Sequence, residues 1–229
     1  MSDFVAEVLA KSIANIGRVL GKQRTTSRMS WSLYDVRGRR KYLVPKERWA
    51  FLDAALDIGG AVATFCATLA FTGARISEVL ALTPERLDEA NGTINIETLK
   101  RRRRGIIRVV PVPLKLFDLL DAVHNFRTAQ LDPISTSERL WPWSRTTAWR
   151  RVKDVMRHAG EPEYVSKPKA LRHAFGAEAT LKMISPLLVQ KWMGHARIET
   201  TQIYTTLVGP EERSLARITW RGAAKEYRH

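Results

Sequence analysis

The sequence predicts a mainly helical α+β fold with one small antiparallel β-sheet. Three observations carry that expectation. Apolar residues recur at helical spacing through most of the chain after Pro45. One stretch, between Gly92 and Pro113, switches to strand-like alternation and β-branched residues. No internal repeat or low-complexity tract interrupts the pattern. At 229 residues, 45% hydrophobic and 27% charged, the chain is long enough for one well-packed domain and too apolar to be disordered.

Taken in order, residues 3–20 place Phe4, Val5, Val8, Leu9, Ile13, Ile16, Val19 and Leu20 on a helical period. Such an amphipathic helix needs a partner for its apolar stripe. Residues 21–48 form a basic segment with Gly21, Gly38 and Pro45 as punctuation; it holds Arg37, Arg39, Arg40 and Lys41. It suits either a DNA-tracking arm or a solvated connector. The expected organisation is therefore an appendage over 1–44 and a compact domain over 45–229. Within that domain the pattern predicts helices over 46–57, 60–71 and 75–82. Thr93 to Ile96 and Ile106 to Val110 then read as a hairpin around the basic turn Lys100-Arg101-Arg102-Arg103-Arg104-Gly105. Helices return at about 114–129, 145–159, 169–181, 186–192, 198–206 and 211–219.

Composition narrows the function. With 38 Lys+Arg against 23 Asp+Glu the net charge is +15, and the pI is near 10.4. That points to a polyanion, most simply nucleic acid. Of the cations 26 are Arg and 12 are Lys; a guanidinium fork suits phosphate oxygens, although a GC-rich genome gives the same bias. The single cysteine, Cys66, excludes an intramolecular disulfide framework and reads as a buried thiol. No signal-peptide pattern opens the chain, and the longest uncharged stretch, Ile58 to Ala74, is too mild to span a bilayer. The expectation is a cytoplasmic protein without membrane contact.

A screen for chemical motifs finds no phosphate-binding glycine loop, no dinucleotide fingerprint and no cysteine pair for zinc. His195 and Glu199 stand four apart, but two ligands seldom make a metal site. No metal or cofactor is therefore expected. Three strings say more. In Thr72-Gly73-Ala74-Arg75-Ile76-Ser77-Glu78, an Arg opens a helix against the dipole. It either seats an anion with the free N–H groups or pairs with Glu78. In Lys167-Pro168-Lys169-Ala170-Leu171-Arg172-His173, Lys169 and Arg172 share a helix face. They mark a polyanion site or a solvated basic face. Gly194-His195 is followed by Thr200-Thr201-Gln202-Ile203-Tyr204-Thr205, where Tyr204 alone could be a half-buried ring.

Together, in this order, these strings resemble the tyrosine recombinase (phage integrase) family over about residues 45–220. The resemblance implies that family's catalytic-domain fold and its reaction. A tyrosine attacks a DNA phosphodiester, leaves a 3′-phosphotyrosyl link and a free 5′-hydroxyl, and another strand reverses the step, without ATP or metal. It implies Tyr204 as nucleophile, Arg75 and Arg172 on the non-bridging oxygens, His195 as a further donor and Lys100 as acid for the leaving oxygen. Lys169 stands where His is commoner, as base or charge support. Glu78 orients Arg75, and His173 supports the site. Counting back from Arg108-Val109-Val110-Pro111 without a gap selects Arg103 instead of Lys100, but a guanidinium is a poor proton donor. Arg101, Arg102, Arg103 and Arg104, with Arg37, Arg39, Arg40 and Lys41, are then expected on DNA phosphates.

The family usually carries an N-terminal core-binding domain, and the 44 residues before the catalytic region are too few for it; some compact invertases also lack it. Grip on duplex DNA then falls to the basic arm, to a dimer or tetramer, or to an accessory or directionality protein. The resemblance implies integration, excision, inversion or resolution. Two other readings stay open: a supercoil-relaxing enzyme with the same residues, and a DNA-binding regulator, which would not need Tyr204.

Overall fold

The computed structural model describes residues 32–99 and 105–206. The expected helices 3–20 and 211–219, and Lys100 with Arg101, Arg102, Arg103 and Arg104, lie outside them.

Helix α1 (Pro45–Ile58) starts where Pro45 presets φ and the Glu47 carboxylate accepts the Val44 N–H at 2.9 Å. It buries Phe51, Leu52, Ala54 and Ala55 and stops at Gly59. Helix α2 (Gly60–Thr72) is apolar on nearly every side, and Ala63 through Ala70 are all buried, so it runs through the middle of the molecule. Its threonines cost little there, because Thr68 and Thr72 return their hydroxyls to carbonyls one turn back at 2.8 and 2.6 Å. Cys66 is buried on this helix, as expected.

The helix ends at Gly73, whose φ of +60° suits glycine; an added Cβ would also lie 2.7 Å from the Phe175 ring. Helix α3 (Ile76–Val79) is one turn, shorter than the expected 75–82, because the chain turns after Val79 to bury Leu80 and Leu82.

The hairpin forms, with a third strand beside it. Strands β1 (Leu87–Asp88), β2 (Thr93–Glu97) and β3 (Ile107–Pro111) pair antiparallel in that order. Ile94 lies opposite both Leu87 and Val110. Two residues of β1 are too few to show a period. Helix α4 (Leu114–His124) breaks from α5 (Phe126–Ala129) at Asn125, which adopts φ +50°. The single expected helix 114–129 is thus two, since Asn tolerates the left-handed region and the bend buries Phe126.

Helix α6 (Arg145–His158) is capped by Ser144, which accepts the Thr147 N–H at 3.0 Å. Then come α7 (Pro168–Leu181), α8 (Pro186–Met193), α9 (Glu199–Gln202) and a 3₁₀ turn, Ile203–Thr206.

The main core joins α1, α2, α4, α6 and the sheet around Phe65 and Trp141, whose rings meet edge-on at 5.3 Å. The Trp141 Nε1–H donates to the Ala61 carbonyl at 3.0 Å. A second cluster holds Leu33, Tyr42, Ala177, Val189, Met193, Ile203 and Tyr204. Residues 32–44 therefore pack into the same compact unit as the rest, which runs from Ser32 onward. Among the described residues no helix is long and apolar enough to cross a membrane.

Among the described residues Trp141 is the largest fully buried side chain. Its replacement by Ala should cost about 3–5 kcal/mol, read as a lower urea midpoint at unchanged slope. A loss under about 1 kcal/mol would mean that the core does not close on this ring.

Candidate active site

The site starts from a charge problem. Arg75 sits at the N-terminus of α3, where the helix dipole repels it, and Glu78 answers within the same turn. The Glu78 carboxylate accepts from the Arg75 backbone N–H at 3.0 Å and from its Nη1 at 2.7 Å. The carboxylate is 1% exposed. Burial pushes its pKa up, yet Arg108 and Arg75 outweigh burial and hold it below the ordinary carboxylate value. Arg75 keeps about a third of its side chain open to solvent.

Arg172 projects from α7 between two helix ends. Its Nη1 donates to the Gly73 carbonyl closing α2 and its Nη2 to the Met193 carbonyl closing α8, both at 2.7 Å. These carbonyls lack helical partners and carry the negative ends of two helix dipoles, so a buried guanidinium fits between them. Burial, with Arg75 nearby, brings its pKa down to about 10, so it stays charged at neutral pH.

His195 follows Gly194, which caps α8 at φ +63°. Its Nδ1 lies 2.8 Å from the Thr201 hydroxyl on α9. Burial and then the charges of Arg172 and Arg75 push this imidazole down to about 3, so it is neutral. Tyr204 lies almost parallel to it, ring centres 6.4 Å apart at 14°.

The Tyr204 ring is 1% exposed and rests on Gly176 of α7, where a Cβ would come within 2.3 Å of Cζ. Burial raises the phenol's pKa, although Arg172 and Arg75 pull it down. His173 Nδ1 lies 3.4 Å from the hydroxyl. Burial, Lys169 and Arg172 bring His173 to about 3, and its buried Nε2 has no hydrogen-bond partner.

Arg75, Glu78, Arg172, His173, His195 and Tyr204 therefore meet at one place. Lys169 stands one turn before His173, beside a cavity of about 270 Å³ that Arg39, Arg40, Lys41 and Lys167 also line. The arm residues are not equivalent. Arg37 is exposed, Arg39 pairs with Asp35 at 2.8 Å, Arg40 forks onto Glu47, and Lys41 donates to the Ser32 carbonyl at 3.3 Å. Among the described residues no group of His, Cys, Asp or Glu could hold a metal ion.

Sequence reasoning passed over Arg108. It occupies an inward position of β3, on the same face as Val110, and its guanidinium donates to Glu78 Oε2 at 2.6 Å. The available signal was a charged residue on the buried face of a strand whose Ile107 and Val109 face outward. Gly176 was missed because its need arises only once Tyr204 rests on it.

A partly exposed guanidinium and a buried one, beside a phenol and a neutral imidazole, are the groups that can hold a phosphodiester and receive the charge of an attack on it. The phage integrase family model matches residues 43–208. The type 1 fimbriae regulatory protein FimE of Escherichia coli (strain K12) is 34% identical over 177 residues, 73% of this chain and 86% of its own length. The tyrosine recombinase XerD of Mycobacterium leprae is 33% identical over 66% of this chain, which spans only 48% of that relative.

Two solved recombinases share the fold. XerA superposes with a TM-score of 0.66 at 24% identity, over 78% of this chain and 64% of XerA. XerH bound to its difH substrate, in a pre-cleavage complex, gives 0.62 at 22% identity, over 82% and 59%.

The two low-pKa histidines predict how stability depends on pH. Neutral in the folded state and titrating near 6.5 when unfolded, each contributes stability that is present above 6.5 and lost as pH falls toward 3. Glu161 works in the opposite direction. Burial, then the nearby Glu47, raises it to about 7, so its contribution is full below its ordinary value and lost as pH rises through 7. Each proton is worth about 1.4 kcal/mol per pH unit. Urea midpoints between pH 6.5 and 5 should therefore fall with acid. The fall should flatten, by at most one proton, in His173→Gln and steepen by less than one in the more exposed Glu161→Gln; identical slopes in all three proteins would refute these titrations.

Proposed function

The chain belongs to the phage integrase family as a tyrosine-type site-specific recombinase, and from that premise we propose that Tyr204 is the nucleophile that cleaves and rejoins duplex DNA. The observation that carries this reading is the meeting of Tyr204 with Arg75, Arg172 and His195, delivered from separate elements to one place.

The phenol oxygen attacks phosphorus as its proton passes to the neutral His173 imidazole beside it, and the bond to the 5′-oxygen breaks. A 3′-phosphotyrosyl ester and a 5′-hydroxyl result. Arg75 and Arg172 bind the non-bridging oxygens, where charge builds in the transition state, and the neutral His195 adds a ring N–H donor. Lys100 gives its ammonium proton to the departing oxygen. Lys169 supports the phosphate charge from the cavity side, and His173 keeps the phenol oriented. Reversal by another strand's 5′-hydroxyl completes exchange and needs no cofactor.

Tyr204 is buried against Gly176, so the phenol reaches the phosphate by leaving Gly176 or by a local opening of the turn that carries it. The basic turn Arg101–Arg104, together with Arg37 and Lys41, follows the DNA backbone, and Arg39 and Arg40 join it when they release their carboxylates. The working assembly is a dimer or tetramer on DNA in the cytoplasm, with room for an accessory or directionality protein.

Covalent trapping tests the reading. Protein incubated with supercoiled DNA of its own replicon and then denatured should carry DNA, whereas Tyr204→Phe should carry none. Arg75→Ala and Arg172→Ala should each slow adduct formation about 100- to 1,000-fold. Equal trapping by Tyr204→Phe would remove this tyrosine as nucleophile. Specific binding without any adduct would make the chain a regulator.

A further inference from the structure

Arg108 spends its guanidinium on three different parts of the site. Its Nη2 donates to Glu78 Oε2 at 2.6 Å, its Nη1 to the Thr98 hydroxyl at 3.1 Å, and its Nε to the Trp192 carbonyl at 2.8 Å. All three of its nitrogens are thus engaged within the protein, so it is not placed to grip an incoming phosphate. We propose that Arg108 is a positioning residue for catalysis, acting on the phosphate oxygens at second hand through Arg75 and His195. The proposal rests on the recombinase reading of the site.

The first arm of the argument runs through Glu78. Its carboxylate is shared: Oε1 takes the Arg75 side chain, and Oε2 takes the Arg75 backbone N–H and Arg108. A buried carboxylate with only Arg75 as cationic partner would either draw that guanidinium fully onto itself or take up a proton and let it go. Either change moves Arg75 from the place where a phosphate oxygen meets it. Arg108 supplies the second positive charge, so Glu78 stays ionised while Arg75 remains partly exposed.

The second arm runs through the end of α8. Trp192 and Met193 offer consecutive carbonyls, one to Arg108 and one to Arg172. Two guanidiniums thus clamp the backbone just before Gly194 and His195. The fit is close: a Cβ on Gly194 would lie 3.1 Å from Arg108 Cδ, Arg108 Nη1 and Thr98 Oγ1. His195 takes its position from a backbone that Arg108 holds against the sheet. A purely structural Arg at an inward strand position is an unfavourable choice, since a buried ion pair gains little over apolar packing. Here its three directions instead tie β3, α3 and α8 into one geometry.

The test uses the full chain and a nicked duplex carrying the site recovered from trapped DNA. Wild-type protein must form the adduct on it; failure there overturns the recombinase reading itself and with it this proposal. Given that adduct, Arg108→Lys keeps the charge but loses the three-way fork. It should cleave about 10- to 100-fold more slowly at saturating DNA, while its melting temperature and DNA affinity stay near wild type.

A second duplex places sulfur at the 5′-bridging position of the scissile phosphate, so that the leaving thiolate needs no proton. Lys100→Ala should be rescued on it and Arg108→Lys should not, because Arg75 and His195 act on the non-bridging oxygens. A wild-type cleavage rate, loss through weaker DNA binding alone, or rescue by sulfur would each overturn the assignment. If Arg108→Lys does not fold, Thr98→Val, which removes one acceptor, decides. It should cleave severalfold more slowly without sulfur rescue, and an unchanged rate overturns the proposal.

Discussion

The site hangs on one buried carboxylate. Glu78 brings a full negative charge into the interior, which is costly unless the charge is paired and its oxygens are occupied. Arg75 and Arg108 do both. Because they come from different elements, their shared acceptor joins the loop after α2 to the strand after the basic turn. The same pairing neutralises an Arg at a helix N-terminus, a place the dipole alone would deny it. Removing either partner would leave an under-compensated ion, so the arrangement is held together by the penalty for breaking it more than by the gain from making it.

The other functional groups use helix ends in the same way. Arg172 lies between the C-termini of α2 and α8, and Gly73 and Gly194 both end their helices in the left-handed region that lets the chain turn there. Phe175 fills the space against Gly73, and Tyr204 fills the space against Gly176, one residue later on the same helix. Thus α7 carries Arg172, His173, Phe175 and Gly176 in succession, each contacting a different neighbour. A small displacement of α7 would be felt by Arg172 and Tyr204 together.

Much of this was legible in the sequence, for a physical reason. Arg75, Arg172, His195 and Tyr204, which the structure brings together, sit in local strings whose spacing is readable independently of how the chain folds. The helices from Pro45 onward and the hairpin were legible because their apolar periods are long enough to count. What escaped depends on contacts distant in sequence. Arg108 meets a carbonyl 84 residues away, and nothing near it in the chain announces that acceptor. Asn125 splits a helix whose apolar pattern continues past it. Residues 32–44 looked like a basic connector, yet Leu33, Tyr42 and Leu43 are buried, because three apolar side chains separated by charges form no period. Arg40 is held by Glu47, a pairing that composition cannot show.

The balance of charge at the site bears on why it would favour a transition state over bound substrate. Arg75, Arg108 and Arg172 bring three positive charges against the single negative charge of Glu78, leaving a net of +2 among these four groups. His173 and His195 are neutral, so they add donors without adding charge. A phosphodiester carries one negative charge, and attack by a phenol that has lost its proton adds a second. The fixed charge therefore exceeds that of the ground state and equals that of the pentacoordinate arrangement. Interactions that strengthen as the reaction proceeds are the ones that accelerate it. The same surplus acts on Tyr204, where burial keeps the phenol protonated while Arg172 and Arg75 favour its anion. On the proposed reading, moving the ring out of its seat on Gly176 removes the first influence and keeps the second, so the Tyr204 phenol gains acidity as it leaves its seat.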